Sequence, residues 1–245
     1  VHEWEDLRGR SALVTGSARR VGRAIVLGLA ERGANVVVHY RGSQTEAEGT
    51  ASDARRHGVR AAALAADLED DGQVRELIAR GREAAGPLDI LVNSASLFGP
   101  QAFSETSRAS WDRHMAVNLT APFRLAQAFA VQGEGGDGVV LNLLDWRAVR
   151  PGADHFAYTS SKAALASLTR SLALALAPRI RVNGLALGAI LPPEGQPADP
   201  LLVGRIPLRR WGTLEEVVHA AMFLLAGSDF VTGSILLLDG GRHLT

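Results

Sequence analysis

Seven short apolar runs, many of them β-branched, recur along this chain with helical stretches between them, and that alternation constrains its fold more than any other feature. Ser11–Thr15, Asn35–Tyr40, Arg60–Ala66, Asp89–Val92, Gly138–Leu143, Ile180–Leu185 and Ser234–Leu238 read as strands. Helical stretches are expected at Ile25–Ala30, Glu46–His57, Gln73–Ala85, Trp111–Ala130, Phe156–Ala177 and Leu214–Ala226. Strands apolar on both faces and separated by helices must lie in a parallel sheet covered on both sides. Right-handed crossovers then give an α/β doubly wound sheet of the Rossmann type, with about seven strands. Residues 1–245 read as one domain without repeat or linker. The irregular stretch 188–207, rich in proline and glycine, is too long for a plain connector and reads as a substrate-binding loop.

Composition narrows the function classes. Twenty-six basic residues balance 26 acidic ones, so no global field draws the chain to nucleic acid or to anionic lipid. There is no cysteine, which removes disulfides, thiolate metal sites and thiol nucleophiles. The seven histidines lack paired spacing, so no metal site is expected. No apolar stretch is long enough to cross a membrane, and Val1–Glu5 carry no signal pattern, so a cytoplasmic location is expected.

Gly16-Ser17-Ala18-Arg19-Arg20-Val21-Gly22 follows the first strand and opens the first helix. Glycine there lets the backbone approach a pyrophosphate, and the free N–H groups and dipole of the helix start attract its charge. The second strand ends His39-Tyr40-Arg41-Gly42-Ser43, with no acid before Glu46. An acid at this place would bind the ribose hydroxyls of NAD, whereas arginine accommodates the 2′-phosphate of NADP. Arg41, Ser43 and Arg19 therefore favour NADPH, with Tyr40 beside them. Asp67 and Leu68, after the third strand, are placed to meet the adenine. Asn93, Ser94 and Ala95, after the fourth, are placed to pass beneath the nicotinamide ribose.

Lys162 is the sole lysine, and it follows Tyr158, one of two tyrosines, by one helical turn. A phenol exchanges protons poorly near neutrality because its ordinary pKa is about 10. An adjacent ammonium is expected to lower that value and make Tyr158 a working acid or base.

The glycine loop, Asn93-Ser94-Ala95, Asn118 and Tyr158-Thr159-Ser160-Ser161-Lys162, in this order, resemble the short-chain dehydrogenase/reductase family. Pro207-Leu208-Arg209-Arg210-Trp211-Gly212 and Asp239-Gly240-Gly241 are similar to that family's late segments. The resemblance implies that Tyr158 protonates substrate, that Lys162 holds the nicotinamide ribose and tunes Tyr158, and that Asn118 anchors a relay water. It also implies a homotetramer, which would explain why Phe156–Ala177 is apolar around so much of its circumference. The family usually has proline where this chain has Leu187; Gly188 still allows a close approach to nicotinamide, and Ile190 follows beside it.

Two departures narrow the resemblance. Arg20 stands where the family usually has glycine, and Asp145 where it usually has serine. Both, with Ser96-Leu97-Phe98, resemble the pteridine and dihydromonapterin reductases. In that subgroup the serine meets the pterin and the phenylalanine stacks on it, which assigns Ser96 and Phe98 to the substrate. A carboxylate would repel the oxyanion of a reacting ketone, but it suits ring nitrogens and an amino group. Arg20 would span the cofactor phosphates and the pterin oxo group. The expected activity is NADPH-dependent reduction of a dihydropterin-like substrate at a ring C=N. Two alternatives stand beside it: a generic ketone or alcohol dehydrogenase, and a catalytically silent NADP-binding sensor or assembly subunit.

Overall fold

The computed structural model describes residues 6–131, 137–192, 195, 197 and 199–245. Seven parallel strands form one sheet in the order β3-β2-β1-β4-β5-β6-β7. They are β1 (Ser11–Val14), β2 (Asn35–Tyr40), β3 (Ala61–Ala65), β4 (Ile90–Asn93), β5 (Gly138–Asp145), β6 (Ile180–Leu187) and β7 (Ile235–Leu238). The doubly wound architecture expected from the sequence is the one observed.

Alternation along each strand divides the core into two layers. Ala12, Val14, Val36 and Val38 face a layer containing α1 (Arg20–Glu31), α2 (Gln44–Arg55) and α8 (Leu214–Met222). Leu13 and Val37, one residue out of phase, face α3 (Asp71–Ala85), α5 (Ala121–Val131) and the C-terminal half of α6 (Phe156–Leu176). Pleating by two residues therefore explains why these strands are apolar throughout. Leu29 of α1 is fully buried, and its truncation to alanine is expected to cost about 3 kcal/mol.

Three local departures from the sequence reading shape the site. β5 and β6 each run two residues further than expected, pairing Asp145 with Leu187 and carrying Asp145 to the end of the sheet. The single helix expected over 111–130 is α4 (Arg108–Met115) and α5 joined by a π-helical turn, Ala116–Thr120. Pro122 has no N–H to offer the carbonyl of Asn118 four residues earlier, a local cause for that interruption. Within the stretch read as irregular, Pro200–Gly204 forms a short helix, α7, capped by Asp199 accepting from the Leu201 N–H at 2.9 Å.

β1 connects outward to β2, while β4 begins the opposite half of the sheet. The strand order thus reverses between β1 and β4. Crevices beyond the C-terminal ends of strands at such a switch point are where doubly wound folds hold ligands.

Candidate active site

The turn from β1 into α1 packs directly against the end of β4. Thr15 Oγ1 accepts from the Ser94 and Ala95 N–H groups at 3.0 and 3.1 Å, drawing the two segments together. Gly16 has φ +60°, and a Cβ there would lie 2.6 Å from Ala95 Cα. A Cβ on Gly22 would lie 2.5 Å from the Gly16 carbonyl oxygen. Both glycines are sterically required, the first for a left-handed turn and the second for close helix–loop packing.

Around this turn lies a cavity of about 560 Å³. Gly16, Arg19, Arg20, Val21, Gly22, Tyr40, Arg41, Ser43, Asp67, Leu68, Ser94 and Ala95, all assigned to the cofactor from the sequence, line it together. Ser96, expected at the substrate, lines it too. Its size, its glycine-backed floor and its arginines fit a dinucleotide with an extra phosphate. Ser17 and Asn93 have other duties. Ser17 is buried, with its hydroxyl on the Val14 carbonyl at 2.6 Å. Asn93 is buried in the sheet, donating to Asn142 Oδ1 at 2.8 Å.

His39 was not singled out by sequence, yet it braces the cavity. Its Nδ1 accepts from the Gly16 N–H at 3.0 Å, so Nε2 carries the proton that reaches the Ala66 carbonyl at 3.1 Å. Burial, opposed by the bond to Ala66, pushes its pKa down to about 4. A polar residue inside the otherwise apolar run Val36-Val37-Val38 was the available signal.

The arginines expected at the 2′-phosphate already face carboxylates. Arg41 donates to Glu69 at 3.1 Å, and Arg113 donates to the same carboxylate at 3.1 Å. Arg19 lies 3.8 Å from Glu46. The run Glu69-Asp70-Asp71, read as a helix start, divides its labour. Asp70 caps α3 through Gly72 and Gln73, while Glu69 turns to Arg41 of the cavity and to Arg113.

Arg20 keeps φ +56°, which glycine adopts freely and which costs another residue roughly 1 kcal/mol. Its Nη2 donates to the Pro192 carbonyl at 2.8 Å, joining the glycine turn to the loop after β6. Of that loop, residues 193, 194, 196 and 198 lie outside the described residues. Gly188 packs against the turn after β7, since a Cβ there would lie 2.6 Å from Asp239 Cα. Ile190 is likewise a core residue, packed in the α1/α8 layer.

At the end of β5, Tyr158 Oη donates to Asp145 Oδ2 at 3.1 Å. Asp145 Oδ1 accepts from the Arg147 N–H at 2.8 Å. Lys162 is buried and donates through Nζ to the Leu143 carbonyl at 2.8 Å. Burial pushes its pKa down to about 8, while the Asp145 charge pulls it upward. The expected lowering of the Tyr158 pKa is not what this arrangement produces. Burial, the charge of Asp145 and the hydrogen bond to it push the phenol well above its ordinary value, with Arg147 opposing them. The neighbouring carboxylate prevails because the Lys162 ammonium sits 5.8 Å from the ring centroid and is committed to a carbonyl. The phenol is thus held as a proton donor.

Asn118 lies in the π-helical turn, and its side chain is fully engaged. Oδ1 accepts from the Leu97 N–H at 2.8 Å, and Nδ2 donates to the Leu97 carbonyl and to Ser161 Oγ, both at 3.0 Å. It fastens the 94–97 segment to α6, and Ser96 Oγ also reaches it at 3.3 Å. Phe98 is 56% exposed, stacked on His155 at 4.5 Å and edge-on to Tyr158 at 4.8 Å. An exposed aromatic face thus stands beside the phenol. The guanidinium groups of Arg147 and Arg242 lie 4.9 and 4.7 Å from the Trp146 ring centroid. Among the described residues, no group of three or more His, Asp or Glu side chains is arranged to hold a metal ion, and no helix is long and apolar enough to cross a membrane.

Residues 16–243 match the family described as enoyl-(acyl carrier protein) reductase. L-xylulose reductase from Bos taurus is 35% identical over 245 residues, covering 96% of this chain and 97% of the relative. The crystal structure of FolM alternative dihydrofolate reductase 1 from Brucella canis, complexed with NADP, is 40% identical with a TM-score of 0.91. That likeness covers 98% of this chain and 96% of the other. A gluconate 5-dehydrogenase from Burkholderia cenocepacia J2315, in complex with NADP and tartrate, is 32% identical with a TM-score of 0.91, covering 99% and 98%.

Proposed function

The chain belongs to the short-chain dehydrogenase/reductase family, and from that premise we propose that it is an NADPH-dependent reductase of pterin-like substrates. The observation that carries this reading is the hydrogen bond from Tyr158 to Asp145, a carboxylate where a ketone reductase needs a neutral donor. A name among its relatives, alternative dihydrofolate reductase, supports the same chemistry. NADPH is the cofactor; the glycine turn would hold it, with Arg41, Ser43 and Arg19 for its 2′-phosphate and Asp67 and Leu68 for its adenine, and Lys162 would meet its ribose.

When bound, the cofactor supplies hydride to the substrate ring. The remaining work falls to side chains. Tyr158 keeps its proton near neutrality and donates it toward a ring nitrogen, Asp145 accepts from the ring's amino and N–H groups, and Arg20 binds the oxo group. Phe98 leaves His155 to cover the flat ring, with Ser96 at its edge. Asn118 holds the 94–97 segment in register. Described residues at the start of the 188–207 stretch flank the substrate site, where Pro192 is joined to the glycine turn by the Arg20 bond. A homotetramer would cover exposed apolar positions of α6 such as Leu174, which is 85% exposed.

A second reading, a sugar or ketone reductase, is favoured by the likeness to L-xylulose reductase and gluconate 5-dehydrogenase. NADPH oxidation measured with dihydrobiopterin, dihydromonapterin, dihydrofolate, L-xylulose and a ketone panel separates the two. Turnover of the dihydropterins above the rest supports the first reading, and turnover of ketones or sugars alone replaces it with the second.

A further inference from the structure

We propose that Arg242 is a specificity-determining residue of the reductase site, binding a carboxylate that the substrate carries away from its reacting atoms. Trp146 directly follows Asp145, so its indole stands at the end of β5 beside the reacting pair. Two guanidinium groups lie against that indole, Arg147 at 4.9 Å and Arg242 at 4.7 Å from the ring centroid.

The two cations have different surroundings. Arg147 is matched by carboxylates, donating to Asp154 at 2.9 Å and lying 3.6 Å from Asp145. Among the described residues, the half-buried Arg242 guanidinium has no hydrogen-bond acceptor and no carboxylate within ion-pair distance. Burial and the like charges of Arg147 and Arg205 push its pKa below the ordinary guanidinium value, against the pull of Asp145 and Asp154. Three guanidinium groups thus face two carboxylates, which leaves positive charge unmatched, and Lys162, which also feels Asp145, adds to the excess. The indole face offsets part of the cost of holding Arg242 out of water, but it offers no acceptor in the plane of the N–H fork. A carboxylate on the substrate supplies both the acceptors and the charge, and its two oxygens match the fork.

The turn that presents Arg242 is fixed from below. Asp239, buried just beyond β7, accepts from the Gly241 and His243 N–H groups at 2.9 and 2.8 Å. The Arg242 N–H reaches the Asp239 carbonyl at 3.2 Å. Thr245 Oγ1 donates to the Arg205 carbonyl at 2.9 Å, tying this turn to the segment that carries the third guanidinium. The Asp239-Gly240-Gly241 segment, which takes no part in the reaction itself, thereby gains a role: it holds Arg242 in place before substrate arrives, so little backbone order is lost on binding.

This inference rests on the proposed reductase site at Tyr158 and Asp145, and not on the pterin ring. Its test pairs an anionic substrate with a neutral one: dihydrofolate with dihydromonapterin, and 5-ketogluconate with L-xylulose. In Arg242→Gln, KM for the carboxylate-bearing member of whichever pair turns over should rise about tenfold relative to its neutral partner. The kcat values and the NADPH dissociation constant should stay within about twofold, and Arg242→Lys should restore part of the loss. A ratio unmoved in Arg242→Gln, or a pair in which the neutral member alone reacts, overturns this inference and leaves the reductase reading standing. Turnover of none of the four by the wild type overturns both. Should Arg242→Gln not fold, the wild type still decides: salt at about 0.5 M should raise KM for the carboxylate-bearing member severalfold and leave its neutral partner unchanged, and parallel salt profiles overturn the inference.

Discussion

Tyr158 and Asp145 lie 13 residues apart in sequence and meet at 3.1 Å, the phenol donating and the carboxylate accepting. One comes from the first turns of α6 and the other from the last residue of β5. The meeting exists because β5 runs on to Asp145 in register with β6. It sets the direction of proton flow, since a phenol bound to a carboxylate and raised well above its ordinary pKa gives up its proton only to a basic partner.

The first prediction concerns pH. Lys162 is depressed to about 8 by burial, whereas Tyr158 is raised. NADPH affinity should therefore weaken a few-fold above about pH 8, as the ammonium proposed to meet the ribose loses its charge. Fluorescence titration of NADPH from pH 6 to 10 checks this, and a flat profile would assign Lys162 no part in ribose binding.

Cofactor preference depends on a competition at Arg41. Glu69 holds Arg41 and Arg113 at once, so a 2′-phosphate must draw Arg41 away from a carboxylate. Arg41→Ala should weaken NADPH about tenfold and leave NADH nearly unchanged. Glu69→Gln should strengthen NADPH a few-fold. Dissociation constants for both cofactors test the pair, and an unchanged NADPH/NADH ratio in Arg41→Ala would refute the role of that arginine.

His39 makes the fold sensitive to mild acid. Its folded pKa, about 4, lies below the unfolded value of 6.5, so the unfolded chain binds more protons between them. Its contribution is complete above pH 6.5 and is lost as pH falls toward 4, up to roughly 3 kcal/mol. Urea midpoints at pH 7 and pH 4.5 should differ far more in the wild type than in His39→Gln. Equal slopes in the two proteins would exclude His39 as the cause.

Gly22→Ala should abolish NADPH binding or folding, because the added methyl would lie 2.5 Å from the Gly16 carbonyl. Gly42→Ala, where nothing lies within 4 Å of the added methyl, is the control. Thermal midpoints with and without NADPH check both, and a Gly22→Ala protein stabilised normally by NADPH would contradict the packing account.

The sheet and the cofactor cavity were legible because their signals are local. Strands apolar on both faces, the glycine turn, and Arg41 with Ser43 at the end of β2 each declare themselves within a few residues. What was missed depends on partners distant in sequence. His39 looked like a lone histidine until its ring met Gly16 and Ala66, and Glu69 like a helix-start acid until Arg41 and Arg113 reached it. The π-helical turn at Asn118 had a local sign in Pro122, inside a run otherwise patterned as one helix. Ile190 followed motif position, and tertiary packing places it in the core.

The account's central claim is that Asp145 selects a nitrogen heterocycle over a carbonyl substrate. Its most direct test is the ratio of kcat/KM for dihydromonapterin to that for L-xylulose, with NADPH, in the wild type and in Asp145→Ser. The account predicts that the wild type favours the pterin and that Asp145→Ser lowers the ratio by about a hundredfold with NADPH affinity retained. A ratio unmoved by the substitution, or a wild type that prefers the sugar, would contradict it.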